Sequence, residues 1–275
     1  TGRNRPMAGA RLKGLAASLA VLACLLPLLL GFLLPAGLLL KMALTEGDAQ
    51  FGERFLTLSR NSFVLAGVTA AIGVLLALLL AYGARLSRTT LAGGLNRLVG
   101  LGYAVPGAVI AVGVLIPVTR LDNWLAGQWL AWFGHNPGLL LTGGIAALIY
   151  AYLVRFLAVA LHTVESSLSK ITPSMDDAAC SLGLGQGETL HRVHAPMLRS
   201  SLLTAGLLVF VDVMKELPAT LVMRPFNFDT LATQAYTLAS DERLAEASTA
   251  ALAIVVVGLL PLIALSRQVS AARRP

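Results

Sequence analysis

The sequence predicts an all-α integral membrane protein with six transmembrane helices and one long cytoplasmic loop. Three observations lead there. Of 275 residues, 56% are hydrophobic and 13% are charged, about half the charged share of an ordinary soluble domain. Mean hydropathy is +0.77, and long stretches free of Asp, Glu, Lys and Arg recur along the chain. The cations lie unevenly across the segments between those stretches. This composition excludes an ordinary soluble fold, and it is too apolar for disorder. The spans must be helices, because an unpaired backbone group costs several kcal/mol in hydrocarbon and these runs lack the alternation of barrel strands.

Residues 1–13 form a basic linker with Arg3, Arg5, Arg11 and Lys13. The first span is 14–40, too long for a cleaved signal peptide and so a retained anchor. The second is 61–84 and the third 98–119. The apolar run 123–154 exceeds one span, since roughly 20 residues cross a bilayer. It contains the turn formers Gly134-His135-Asn136-Pro137-Gly138, which divide it. Residues 138–161 make the fourth span. Trp124, Trp129, Trp132 and Phe133 mark 123–133 as an interfacial helix, because indole rings favour the headgroup level. The fifth span, 199–218, carries Asp212, Lys215 and Glu216 and ends at Pro218. An outer loop covers 219–246, and the sixth span is 247–266. With the amino terminus inside, 14 of the 21 Lys and Arg residues fall on the cytoplasmic side. The positive-inside rule then places both termini in the cytoplasm, with Arg155 snorkelling at the inner end of the fourth span.

Cys24 and Cys180 are read as unpaired thiols. There is no G-x-x-x-x-G-K-[ST] phosphate loop, so the chain does not hydrolyse ATP unaided. Glu188 stands where a dinucleotide fingerprint following Gly183 and Gly185 needs its third glycine. His191 and His194 lack further ligands for a metal, and no metal, cofactor or nucleic-acid site is assigned.

Connections are short except for 162–198, and a loop of that length in a compact domain is usually functional. Ser174 is a candidate cap for a short helix over 175–182, with Asp176 and Asp177 in its first turn. Gly183, Gly185 and Gly187 permit a turn. A second short helix follows over 188–194, ended by Pro196. The product is a knob facing the cytosol, with small Ala178 and Ala179 allowing close approach.

The string DAACSLGLGQGETLHRVHAP resembles the EAA loop of binding-protein-dependent ABC importer permeases. The family spacing is kept at Asp177, Ala178, Ala179, Gly183, Val193, Ala195 and Pro196. Asp replaces Glu, Val replaces Ile and Ala replaces Leu. Residues 211–248, with Lys-Glu-Leu-Pro and Arg-Pro-Phe-Asn-Phe-Asp, are similar to the ferric-iron subgroup, whose members often carry two six-helix modules. The linker-like start makes this chain resemble the second module, with the permease domain over 57–267. The resemblance implies the type I importer fold and a coupling loop made by Asp177, Ala178, Ala179, Gly183, Gly185, Glu188, Arg192, Val193 and Pro196. The second short helix, about 185–194, would sit in a cleft of the ATPase. The implied partners are ABC ATPase subunits carrying ATP and Mg, a periplasmic substrate-binding protein, a second permease module and the lipid of a bacterial inner membrane. The cargo implied is ferric iron. Thiamine, phosphonate or polyamine keep the class and change the cargo.

Asp212, Lys215 and Glu216 lie near one helical face by spacing. Ionisable groups at membrane depth usually face a bundle interior or a water-filled cavity. They either line the passage or its outer gate, or lock helices together. A membrane-embedded enzyme built on the three is the reading from a different class. Arg224–Asp229 and the charges at Asp241, Glu242, Arg243 and Glu246 offer a receptor-docking surface or a solvated loop.

Overall fold

The structure, a computed structural model, describes residues 12–45, 51–87 and 89–272. Most of the expected linker, residues 1–11, lies outside the described residues. Every regular element among the described residues is a helix. Six are long and apolar enough to cross a membrane. We label the helices α1 (Leu15–Thr45), α2 (Glu53–Ser87), α3 (Thr90–Gly100), α4 (Gly107–Phe133), α5 (Ala146–Leu168), α6 (Pro173–Ser181), α7 (Gln186–Met214), α8 (Pro218–Met223), α9 (Leu231–Ser240) and α10 (Leu244–Ala272).

The centre is a three-helix core of α2, α5 and α7. Along α2 the buried residues Leu58, Ser62, Leu65, Thr69, Gly73, Ala77 and Ala81 recur every three or four positions, which is one helical face. Ala147, Ala151 and Ala160 of α5 and Ala205 of α7 are also buried. Small residues there let backbones approach, and in lipid such packing replaces the hydrophobic drive that water would supply. The outward surface is the reverse: large apolar side chains such as Leu75, Leu79, Val109, Val112 and Leu203 are exposed, as lipid contact requires. Helix α1 buries none of its residues and packs, through its Leu34–Thr45 part, on α10. It accommodates Pro27 and Pro35 with a π-wound stretch, Leu29–Leu33, between them.

Several boundaries differ from the sequence reading, and for one reason. Charges mark the ends of most spans in the sequence, and here several of them sit inside helices. Helix α2 begins at Glu53, includes Arg54 and Arg60, and at about 52 Å outruns the hydrocarbon core of about 30 Å. The third span is not one helix over 98–119. Helix α3, capped by the Thr89 hydroxyl accepting from Ala92 N, runs into a 3₁₀ turn at Leu101–Ala104 and stops at Pro106. Helix α4 then runs from Gly107 through Arg120 and Asp122 to Phe133, so 123–133 is its continuation and not a separate interfacial helix. Gly134, at φ 71°, ends it in the left-handed conformation.

Asp122 explains how a carboxylate can stay in that helix. It is fully buried. It accepts hydrogen bonds from Leu140 N (2.7 Å), Leu141 N (3.0 Å), Thr142 N (2.8 Å) and Thr142 Oγ1 (2.6 Å). That clamp folds 138–145 back onto α4, which is why α5 starts at Ala146 and not at 138. Asp122→Ala strands three backbone donors in a dry site and is expected to cost at least about 3 kcal/mol. The loss should appear as a lower unfolding midpoint in detergent, partly recovered by Asp122→Asn, which keeps one acceptor.

Candidate functional site

Helix α6 projects from one end of the bundle. Pro173 occupies its first position and Asp176 its first turn, both favourable at a helix start. Thr172, not Ser174, holds the N-cap position, and the two hydroxyls meet at 2.9 Å. Gly183 at φ +81° ends the helix, with Leu184 N donating to Ala179 O, the usual left-handed termination. Gly185 and Gly187 need no such conformation. Gly185 caps the next helix, where Glu188 Oε2 accepts from Gly185 N at 3.3 Å.

The second short helix is not separate. Gln186–Met214 is one helix of 29 residues, and Pro196 does not end it. The stretch Leu190–His194 is π-wound, and a wider turn gives the proline ring room against the carbonyl four residues back. Thr189 and His194 are buried. The projecting part is therefore α6, and 185–194 is the root of a long helix. Asp177, Ala178 and Gly183 share the exposed surface of the knob with Met175 and Leu182, the last 82% exposed. Ala179 is turned inward and buried. Gly185, Glu188, Arg192 and Pro196 lie exposed around the start of α7, with Glu188 and Arg192 paired at 3.4 Å, and Val193 is half-buried.

Gly183→Asp is expected to strain α6's end by about 1–2 kcal/mol, because a side chain is placed in the left-handed region. No neighbour lies within 4 Å of an added Cβ there, so the effect comes from backbone conformation alone. Gly183→Asn, which tolerates that region better, should be milder in any assay of knob function.

The charges of the fifth span divide into two pairs instead of converging. Asp212 and Lys215 pair at 2.8 Å, with Lys215 59% exposed and Asp212 13%. Glu216 faces elsewhere. It is 6% exposed and pairs with Arg155 Nη1 at 3.0 Å. Glu216 Oε1 also accepts from Ala219 N at 3.2 Å, capping the start of α8. Below it, Thr220 Oγ1 donates to Glu216 O (2.5 Å) and meets Tyr152 OH (2.5 Å). Arg155 is nine residues into α5, about 14 Å from its start, so it is an interior residue and does not snorkel. The sequence could not show this, because it ended the span at 161 while α5 continues to Leu168. Gly107 permits the arrangement: a Cβ there would collide with both Arg155 and Glu216. A triad of Asp212, Lys215 and Glu216 acting on one substrate is thus not formed.

Residues 219–246 are not an open loop. Helix α8 packs on α4 and α5, and α9 packs on α2 and α10. Between them Arg224 pairs with Asp229, Asn61 Nδ2 donates to Asp229 O (3.0 Å), and Leu231 N donates to Ser62 Oγ (2.9 Å). Phe228 packs against the core, and Phe226 is 95% exposed at the tip. Arg243 pairs with Glu246.

A chain of a bacterial ABC transporter involved in import of the polysaccharide alginate superposes with a TM-score of 0.68, covering 92% of this chain and 95% of that one at 17% identity. A chain of the MetNI methionine ABC transporter gives 0.54, covering 82% and 100% at 16% identity. The fold is that of an ABC importer permease. Sequence relatives of this permease-fold chain carry matching names. The Fe(3+)-transport system permease protein FbpB 2 of Haemophilus influenzae is 29% identical over 222 residues, 81% of this chain and 40% of that protein. A ferric transport system permease protein FbpB of Actinobacillus pleuropneumoniae is 27% identical over 73% of this chain and 29% of its own length. A putative 2-aminoethylphosphonate transport system permease protein PhnV of Salmonella typhimurium is 25% identical over 61% of this chain and 57% of its own. The chain thus spans less than half the length of these ferric relatives. No protein-family model matches it.

Proposed function

We propose that this chain is a permease module of a bacterial inner-membrane ABC importer, and that its cargo is ferric iron. The observation that carries the reading is α6: a short helix with exposed Met175, Asp177 and Ala178, followed by exposed Leu182, standing outside a lipid-compatible bundle and tied to its core helices. Such a knob is the part a soluble motor can push. Partner ATPase subunits would hold ATP and Mg, a periplasmic binding protein would deliver cargo at the opposite end, and a second permease module would complete the passage. Alternating access follows if the knob's contact free energy with the motor differs between nucleotide states.

The cations support the orientation. With Arg155 and Lys215 left out as lying within the fourth and fifth spans, 13 cations remain on the knob side and 6 on the other, which favours a cytoplasmic knob and cytoplasmic termini. Lys215 and Asp212 are the candidates for facing the passage, since Lys215 is exposed at membrane depth, whereas Glu216 and Arg155 lock helices. Ferric iron rests on the relatives' names. The phosphonate-named relatives favour a second reading, in which the same machine imports 2-aminoethylphosphonate. The test is purification of the chain with its neighbouring ATPase and binding protein, followed by uptake of labelled ferric iron and labelled 2-aminoethylphosphonate into proteoliposomes. ATP-dependent uptake of iron supports the first cargo and uptake of phosphonate the second. Failure to retain an ATPase removes the proposal.

A further inference from the structure

A knob transmits force only if it cannot swivel, and its covalent attachments do not prevent that. The links on either side of α6 are four residues each, and one contains Gly183. What fixes it is a polar cluster drawn from four distant parts of the chain. Asp176, in the first turn of α6, accepts from Arg85 Nη2 (2.7 Å) and Nε (3.1 Å) through Oδ2. The same guanidinium donates to Leu168 O and Ile171 O, both at 3.0 Å, so it also holds the end of α5. The other carboxylate oxygen, Oδ1, lies 2.8 Å from Nε2 of His194, off the hydrogen-bonding direction. Arg85 therefore holds the carboxylate and His194 backs it. His194 is fully buried in the π-wound start of α7 and stacks edge-on against Tyr82, 5.4 Å between centroids. Tyr82 OH in turn donates to Gln186 O at 2.8 Å, joining α2 to the first residue of α7.

We infer that Arg85, Asp176 and His194 form a latch that makes α6, α2 and the root of α7 one rigid body, so that displacement of the knob reaches two core helices at once. The inference rests on the transport reading above. Asp176 and Arg85 are positioning residues: they touch no cargo, and their effect passes through the knob. The planar fork of Arg85 suits the role, because it grips a carboxylate and two carbonyls in one orientation. Another polar tie at this end, Asn96 Nδ2 to Glu165 Oε1 at 2.6 Å, joins α3 to α5 without touching the knob.

The experiment uses the complete complex in proteoliposomes, with ATP hydrolysis and uptake measured separately. Uptake is read with labelled ferric iron or 2-aminoethylphosphonate, whichever the unaltered complex transports. Asp176→Asn and Arg85→Gln are expected to keep assembly and hydrolysis while transport per ATP falls about tenfold. The double variant should be no worse than Arg85→Gln alone, since the grip on Asp176 is lost in both, while Arg85→Gln also removes the bonds to Leu168 O and Ile171 O. Asp176→Glu, which keeps the carboxylate, should retain most of the coupling, and Asn96→Ala should not uncouple. If Asp176→Asn fails to assemble, Tyr82→Phe removes only the tie to Gln186 and should show the same uncoupling in weaker form. The inference is overturned if transport and hydrolysis fall together, if transport per ATP is unchanged in Asp176→Asn or Tyr82→Phe, or if Asn96→Ala uncouples equally. An unaltered chain that recruits no ATPase would instead overturn the transport reading, and this inference with it.

Discussion

Glu216→Ala is expected to cost about 3–5 kcal/mol, because it leaves the Arg155 guanidinium inside the bundle without its counter-charge. It also removes the acceptor that caps α8 through Ala219 N. The expected readout is a large drop in the melting temperature of the purified chain in detergent and poor accumulation in the membrane. Replacing both partners, as Glu216→Leu with Arg155→Met, should recover much of the loss, since an apolar pair of similar volume is often as stable as a buried ion pair. The neighbouring pair behaves differently. Lys215→Ala should lower melting less than Glu216→Ala does, because Lys215 is 59% exposed and its pair with Asp212 is only partly buried. Its effect should fall on uptake. A Lys215 variant that destabilises as much as Glu216→Ala would refute the division into lock and passage.

Gly102→Ala is expected to cost about 3 kcal/mol through overpacking. The added Cβ would fall on the backbone carbonyl oxygen of Val154. A carbonyl inside α5 cannot swing aside as a side-chain tip can. The 3₁₀ turn that joins α3 to α4 would be pushed off α5, and with it the break that sets Gly107 against Arg155 and Glu216. Gly113 and Gly127 of α4 provide the control: nothing within 4 Å meets a Cβ at either, so alanine there should be neutral or slightly stabilising, by up to about 1 kcal/mol of helix propensity. Thermal unfolding of the three variants side by side separates packing from propensity.

The number and type of spans were legible because a bilayer makes a demand that composition alone can meet: long, charge-poor, helical runs. Their ends were not legible. The sequence offers charge as the natural marker of a membrane surface, and Asp122, Arg155 and Glu216 violate it. These are satisfied by partners that no spacing rule predicts, Asp122 by the backbone at 140–142, and Arg155 and Glu216 by each other across 61 residues. The loop motif was readable from the spacing of Asp177, Ala178, Ala179, Gly183 and Pro196. Its geometry was not legible, because Pro196 looks like a helix stop. The π-wound turn before it lets one helix run on from Gln186, and so the projecting element is the helix before Gly183, not the one after. The pairing of Arg85 with Asp176 has no sequence signal for the same reason as that of Arg155: 91 residues separate the two, and each alone looks like a solvated surface charge.

If an ATPase acts on this chain through α6, the exposed knob must lie against it in the assembled complex. A photoreactive amino acid at Leu182, next to Asp177 and Ala178 on the exposed knob, tests it in the assembled complex. An adduct with the ATPase subunit is expected, its yield changing between nucleotide-free and ATP-bound states, with none from the same probe at Phe226 on the far side of the bundle. An ATPase adduct from Phe226 with none from Leu182 would contradict it.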